Sequence, residues 1–308
     1  MSDIKFYIGP MSKNVVDSVI ELDNPIVGFI PSRRQVDYDG GYVNNWTTKQ
    51  FSEYVNNRVV IQRDHGGESQ GNKQDGGLTS FLFDANYFDI IHVDPWKAYQ
   101  DFDLGLQNTI DCMNFIYDEV GNKKVKFEVG TEESIRRFEV DELEKLLSLL
   151  EKKLNPNIFE NIVWYEPSLG FTTNLGNSKN TCEFAEERFS DMIKVCNKFG
   201  KKSKEHNGDY LSVDEYKLRF DLGMDAINIA PQFGQLETLS YLEEMGNDIE
   251  DYYKICYDSR RWEKWVSKDF VPENNKKELI KICGHYVFSD EEFKSIAPNY
   301  KCLKNILV

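Results

Sequence analysis

Acidic and histidine residues follow short apolar runs at several places in this chain. The clearest example is Asp64-His65-Gly66-Gly67, which comes directly after Val59, Val60 and Ile61. At such a position an aspartate can transfer a proton, a histidine can bind a metal ion, and two glycines let a ligand approach the backbone. An ordinary loop start would also contain this pair, so its interpretation depends on whether similar groups follow other strands.

Eight strand-like runs alternate with segments of helical character. We expect the strands at residues 4–9, 26–30, 59–64, 89–94, 125–130, 162–166, 201–206 and 226–231. Leucines at helical spacing before Asn155-Pro156, and the capping patterns Thr47-x-x-Gln50 and Ser212-x-x-Glu215, indicate helices between them. Eight such units predict an α/β fold, a TIM (β/α)8 barrel, and no dinucleotide-binding glycine fingerprint follows these strands. We expect the barrel at residues 1–240 and a C-terminal helical extension, packed on it within a single domain, at residues 241–308.

The C-terminal ends of the predicted strands collect most of the histidines. His65, His92 and His206 lie there, whereas the fourth histidine, His285, lies in the extension. Since strand ends build the active site of such a barrel, imidazoles and carboxylates converging there can bind a divalent cation, zinc or manganese. His65 and His206 are the preferred ligands because a glycine follows each within two residues. The alternative is that each histidine is a hydrogen-bonded polar residue at the barrel rim.

Carboxylates at the same ends compete for the remaining ligand and acid/base positions. We assign Asp64, Glu132 and Asp209 to catalysis, and Glu166 and Glu205 to the metal together with the two histidines. Arg33 or Arg34 can fork onto a phosphate or a carboxylate, or can form a rim salt bridge. The candidate substrate-binding residues are Arg33, Arg34, Gln35, His92, Asp94 and Asn228. The glycine-rich stretch 66–77 has the composition of a mobile lid or of a solvated loop.

Composition restricts the partners. The 308 residues include 37 basic and 52 acidic ones, for a net charge of −15, which disfavours binding to nucleic acid or to an anionic membrane. Locally placed arginines can still bind an anionic sugar phosphate. No apolar run reaches the roughly 20 residues of a membrane span, and the N-terminus has no signal-peptide pattern. The six cysteines form no C-x-x-C pair, so we expect a reduced, cytoplasmic protein.

An ordered set of short motifs supports a family resemblance. The set is Gln35-Val36, Gly40-Gly41-Tyr42, Asp64-His65, His92-Val93-Asp94, Gly130-Thr131-Glu132, Glu205-His206, Asp209-Tyr210 and the stretch 228–231. In order and spacing, from about residue 4 to residue 237, the chain resembles the tagatose-bisphosphate aldolase accessory (Z-type) subunit family. Members are TIM barrels related to class II, metal-dependent aldolases. Some act beside a catalytic aldolase subunit, and some are similar to enzymes that epimerise ketose phosphates at carbon 4.

The resemblance implies roles for individual residues. Asp64 and His65 would correspond to the catalytic acid/base and a zinc ligand of class II aldolases. His206, with Gly208 nearby, would correspond to a ligand on their later histidine-glycine loop. The chain departs from those enzymes because no Gly-Ala-Ser-Gly type phosphate loop follows His206.

Three functions agree with these residues. The leading hypothesis is a metal-dependent sugar or sugar-phosphate epimerase or aldolase that works by retro-aldol chemistry on a ketose, with 4-epimerisation preferred over cleavage. The first alternative is a non-catalytic partner subunit of a class II tagatose-bisphosphate-type aldolase. The second is a metal-dependent isomerase or epimerase that moves a proton on carbon. The expected partners are the sugar substrate and either an aldolase subunit or further copies of this chain.

Overall fold

Eight parallel strands form the wall of a barrel in the computed structural model, which describes residues 4–121, 125–166, 173–174, 178–181 and 184–297. The strands are β1 Phe6–Ile8, β2 Val27–Phe29, β3 Gln62–Gly66, β4 Ile90–Val93, β5 Lys126–Gly130, β6 Ile162–Glu166, β7 Lys202–Glu205 and β8 Ala226–Ile229. Their order in the sheet is β2-β1-β8-β7-β6-β5-β4-β3. Parallel bridges from Phe29 to Ile61 and from Ser32 to Asp64 bring β2 beside β3, so that the sheet nearly closes on itself. The predicted TIM-barrel fold is confirmed.

Helices surround the barrel and continue into the C-terminal extension. They are α1 Lys13–Leu22, α2 Thr48–Val55, α3 Leu78–Tyr87, α4 Phe102–Val120, α5 Val140–Lys153, α6 Pro156–Glu160, α7 Glu186–Lys198, α8 Val213–Asp221, α9 Pro231–Met245, α10 Glu250–Asp258, α11 Lys276–Cys283 and α12 Glu291–Ile296. Both predicted capping boxes are present: the side chains of Thr47 and Ser212 each accept the backbone N–H three residues later. Short 3₁₀ turns follow α10 and α11. In the described ranges no helix combines the length and the apolar character needed to cross a membrane.

Apolar packing differs between the barrel and the extension. On α5, the buried residues Leu143, Leu146, Leu147 and Leu150 recur at helical spacing and face the strands, which explains why the sequence pattern predicts this helix correctly. The extension has a core of its own, in which α10, α11 and α12 pack together with the end of α9. This second core places the residues that follow α10 near the loop after β2, where Arg261 lies over Tyr42.

Buried charged pairs connect strands of the barrel to each other and to the surrounding helices. β7 is weakly apolar, and its Lys204 is buried inside the barrel against Glu128 of β5. Arg63 of β3 is also fully buried and pairs with Asp84 of α3 at 2.6 Å. The same guanidinium donates to the carbonyls of Pro31 and Val36 at 2.9 and 2.7 Å, which fixes the loop after β2 against the end of β3.

Candidate active site

Four side chains at the C-terminal mouth of the barrel form a group of metal-ligand type. Asp64 and His65 come from β3, His92 from β4, and His206 directly follows β7; their ligand atoms all lie within 4.8 Å of one another. His206 Nδ1 lies 3.1 Å from His65 Nε2. Asp64 Oδ1 lies 3.4 Å from that His206 nitrogen and 3.6 Å from that His65 nitrogen. Imidazole and carboxylate donors converging in this way suit a divalent cation.

The backbone of β3 explains how two consecutive residues reach one site. In a regular strand, successive side chains point to opposite faces. The β3–β4 register shifts between Arg63 and Gly66, and His65 has a φ of 40°, in the left-handed region. A bulge of this kind re-aims side chains. It needs glycine at position 66, because a Cβ there would lie 2.7 Å from the carbonyl oxygen of His92.

Asp94 holds the His65 ring in position. Its Oδ2 lies 2.6 Å from His65 Nδ1 and also accepts the Thr131 hydroxyl at 3.1 Å, while its Oδ1 accepts the Trp96 backbone N–H. Burial alone would lower the pKa of His65, but the carboxylates of Asp64, Asp94 and Glu132 raise it to about 10. The field at this imidazole therefore favours a positive charge, whether a proton or a metal ion.

Glu128 performs the same task for His206. Its Oε1 lies 2.8 Å from His206 Nε2, and its Oε2 contacts Lys204 and the Gln62 amide. Burial opposes ionisation of Glu128, but the positive charge of Lys204 and the hydrogen bond with His206 lower its pKa far below the ordinary value. An ionised Glu128 accepts a hydrogen bond from the Nε2–H of His206, so that His206 Nδ1 faces His65. Carboxylates that orient ligand histidines in this way are common around metal ions.

His92 is a neutral member of the group. Burial lowers its pKa to about 4, and its Nε2 lies 3.1 Å from the Gly130 carbonyl oxygen. Its ring centroid lies 5.1 Å from that of His65 and 5.0 Å from that of His206. Among the described residues, neither His92 Nδ1 nor Asp64 Oδ1 has a hydrogen-bond partner, although both atoms are buried. Since buried polar atoms are normally satisfied, these two fit a bound cation. The sequence predicts a substrate-binding role for His92, and in the structure its ring lies beside the candidate ligand atoms of His65 and His206.

The predicted acids occupy different places. Glu132 Oε2 lies 3.8 Å from His65 Nε2, and its Oε1 accepts the Ser134 hydroxyl at 2.5 Å. Asp209 is buried, and its Oδ1 accepts the backbone N–H groups of Ala230 and Gln232 at 3.0 and 2.8 Å. Within the described ranges, only Glu132 of these two contacts the ligand group.

The two carboxylates predicted as further metal ligands do not join the described group. Glu205 is buried on the helix side of β7, 3.6 Å from Arg219 of α8, and burial raises its pKa well above the ordinary value. The adjacent Lys204 points into the barrel instead, because consecutive strand residues face opposite sides. The backbone of Glu166 ends β6, and its side chain lies outside the described residues.

The candidate substrate-binding residues differ in their burial and in their partners. Arg33 is buried, pairs with Asp37 and Asp75, and donates to the Gly67 carbonyl oxygen at 2.8 Å, so it fastens the stretch 66–77 to the loop after β2. Arg34 is exposed. Gln35 accepts the Ser32 backbone N–H. Asn228 is buried in β8, and neither polar atom of its side chain has a hydrogen-bond partner within the described ranges.

Sequence reasoning did not identify Glu128 and Lys204 as site residues. The available signal was a charged residue in the interior of a strand predicted to be buried, since such a residue needs a partner. The partner lies 76 positions away in the chain. Only the closed sheet brings the two together.

The fold is shared with known structures at low sequence identity. A probable tagatose 6 phosphate kinase from Sinorhizobium meliloti 1021 is 13% identical, with a TM-score of 0.70 over 95% of this chain and 87% of that chain. The fructuronate-tagaturonate epimerase UxaE from Cohnella laeviribosi is 13% identical, with a TM-score of 0.65 over 96% and 77%. A fructose-bisphosphate aldolase from Campylobacter jejuni is 13% identical, with a TM-score of 0.56 over 91% and 87%. No protein-family model matches the chain, and no curated protein matches its sequence.

Proposed function

We propose that this protein is a metal-dependent carbohydrate enzyme that acts on a ketose or ketose phosphate by retro-aldol chemistry, with 4-epimerisation preferred over cleavage. The observation that carries the proposal is the convergence of Asp64, His65, His92 and His206 at the mouth of the barrel. In the part of the chain that the structure describes, Asp64 Oδ1 and His92 Nδ1 are buried there without a hydrogen-bond partner. The resemblance to the Z-type subunit family supports it, as does the barrel shared with an epimerase and an aldolase of sugars.

The donor set suits zinc best and manganese second. His65, His92 and His206 would supply three imidazole nitrogens, and the carboxylate of Asp64 lies beside them. A divalent cation held there supplies Lewis-acid polarisation of a ketose carbonyl. Asp94 and Glu128 keep two of the imidazoles correctly turned, so the donor atoms are arranged before the cation binds.

Asp64 and Glu132 are the candidate bases. One of them takes the proton of the C4 hydroxyl while the C3–C4 bond breaks, and the bonding electrons pass to the ketose fragment as an enediolate. Re-addition to the other face of the new aldehyde, with return of the proton to oxygen, gives the 4-epimer. Asn207 and Ser134 donate hydrogen bonds to Glu132 and hold its carboxylate 3.8 Å from His65.

The first experiment compares metal content in matched variants. The double variant His65→Ala/His206→Ala should lose a bound divalent ion, measured by elemental analysis and calorimetric titration with zinc. His285→Asn is the control, because His285 is the histidine outside the group. Circular dichroism confirms that each variant is folded. Unchanged metal content in the double variant would overturn the ligand assignment.

The second experiment follows the reaction by NMR with a panel of ketoses, ketose phosphates and ketose acids. A new 4-epimer without solvent deuterium on carbon supports the proposal, and triose products indicate net cleavage instead. Deuterium in the product identifies proton transfer on carbon. Absence of turnover and of bound metal in the wild type favours the partner-subunit alternative.

A further inference from the structure

Four cationic side chains gather at the mouth of the barrel from separate parts of the chain. Arg34 lies in the loop after β2 and Lys97 in the loop after β4, whereas Arg261 and Lys264 follow α10 in the extension. Lys264 interacts electrostatically with the other three, and Lys97 interacts with Arg34. We call these four residues the basic cluster.

The basic cluster has no ion-pair partner within the described part of the chain. The neighbouring residues Arg33 and Arg260 do form salt bridges, with Asp37 at 2.9 Å and with Glu263 at 2.7 Å. Two carboxylates act on the cluster from a greater distance: Asp94 on Lys97, and Asp290 on Arg261. In a protein with 15 more acidic than basic residues, four unpaired cations at one place are a local exception.

Aromatic rings hold two members of the cluster, Arg261 and Lys264, without neutralising them. The Arg261 guanidinium carbon lies 5.4 Å from the ring centroid of Tyr42 and 5.3 Å from that of Tyr286. Lys264 Nζ lies 4.4 Å from the ring centroid of Trp265. Such contacts position a cation and leave its donors available. Desolvation is the main cause that lowers the pKa of Lys264 to about 8, and the charges of Arg34, Arg261 and Lys97 lower it further. A bound anion would offset the contribution of these charges.

The cluster belongs to the same mouth as the ligand group. Lys97 follows Asp94 by three residues, and Asp94 contacts His65 Nδ1 at 2.6 Å. Lys97 Nζ also donates to the Ser69 carbonyl oxygen at 2.9 Å, within the stretch 66–77. Lys97 therefore links the cluster to the end of the barrel that holds the ligand group.

We propose that Arg34, Lys97, Arg261 and Lys264 form an anion-binding subsite for the terminal phosphate or carboxylate of the substrate. Guanidinium forks and ammonium groups are the side chains that bind such anions. The extension thus supplies half of the subsite in addition to packing on the barrel. This inference rests on the proposed function for the identity of the reacting end, but anion binding can be measured without turnover.

The test is calorimetric titration of the metal-free protein, at low ionic strength, with inorganic phosphate, with D-glucuronate and with neutral glucose. We expect phosphate or glucuronate to bind and glucose not to bind, and the tighter of the two anions identifies the terminal group. Lys264→Gln and Arg34→Gln should each weaken anion binding about tenfold or more, because each removes a cationic donor from the subsite. Arg34→Gln keeps the test decisive if a variant of the extension fails to fold, because Arg34 is exposed and lies on a different element.

The matched control is Lys277→Gln, an exposed lysine on α11 with the same change of charge, which should bind the anion as the wild type does. Equal anion affinity in the wild type, Lys264→Gln and Arg34→Gln would overturn the subsite, and so would absence of anion binding to the wild type. Because the titration uses metal-free protein, the measured anion affinity does not depend on the proposed function. Absence of metal binding or of turnover would contradict the proposed function without changing that affinity. Where a substrate is found, the same variants should raise its KM.

Discussion

Asp209 makes the stability of this protein depend on pH. The residue is buried after β7, and its Oδ1 accepts the backbone N–H groups of Ala230 and Gln232, so it fastens that loop to the start of α9. Burial raises the pKa of Asp209 from its ordinary value of 3.8 to about 7, despite these hydrogen bonds. The folded protein therefore binds a proton at Asp209 more tightly than the unfolded chain does.

The sign and size of the effect follow from linkage. A carboxyl group whose pKa is raised on folding contributes stability that is fully present below its unfolded pKa and is lost as pH rises through its folded pKa. For Asp209 that window runs from 3.8 to about 7. Each tenfold change in proton affinity is equivalent to about 1.4 kcal/mol, so the full effect is about 4 kcal/mol, of which roughly 2–3 kcal/mol falls between about pH 5 and about pH 8.

Asp209→Asn removes the ionisation and keeps an amide oxygen that can accept both N–H groups. The free energy of unfolding of the variant minus that of the wild type should be about 2–3 kcal/mol larger at pH 8 than at pH 5. Urea unfolding followed by tryptophan fluorescence at both pH values measures this difference. Asp221→Asn, at an exposed position of α8, is the control and should change little, within about 0.5 kcal/mol. The same free-energy difference between Asp209→Asn and the wild type at both pH values would refute the reasoning.

Two further predictions concern the buried charges and one concerns the metal. Arg63→Met leaves Asp84 buried without its partner and should destabilise the fold by about 3–5 kcal/mol in urea unfolding; a loss below about 1 kcal/mol contradicts this. Glu128→Gln removes the ionised acceptor of His206 Nε2 and should weaken zinc binding about 10–100-fold in calorimetry of the folded variant; unchanged affinity argues against the positioning role. Removal of metal by a chelator should abolish turnover and leave the far-ultraviolet circular dichroism unchanged, because apolar packing holds the helices and strands. Parallel loss of turnover and of the dichroism signal would show instead that folding depends on the metal.

Local patterns in the sequence were sufficient for the elements of the fold. Apolar runs, helical periodicity and capping residues act within a few positions of one another, so the eight strands, α5 and the capped starts of α2 and α8 could be predicted. The parallel barrel also made the strand ends the expected site. His65, His92 and His206 were identified in this way, and the structure brings all three together with Asp64.

The inward or outward direction of each strand residue required the tertiary structure. β7 is covered on both faces, so the sequence could not decide whether Lys204 or Glu205 faces the barrel interior. The structure turns Lys204 inward to Glu128 and Glu205 outward to Arg219. In β3, the bulge and the left-handed backbone of His65 override the simple alternation. A side-chain direction of this kind depends on which strand lies beside which, and that is not encoded in local spacing.

The partners of the charged side chains were also decided only by the fold. The sequence shows that Arg33 and Arg34 are adjacent, but only Arg33 is buried and paired, whereas Arg34 is exposed and interacts electrostatically with Lys97 and Lys264. Residues far apart in the chain meet because the sheet closes and the extension packs back against the loop after β2. Local sequence therefore determined which elements and which chemical groups this protein has. Closure of the barrel and packing of the extension decided which of those groups meet, because electrostatic and hydrogen-bond contacts depend on distances in space and not on distances along the chain.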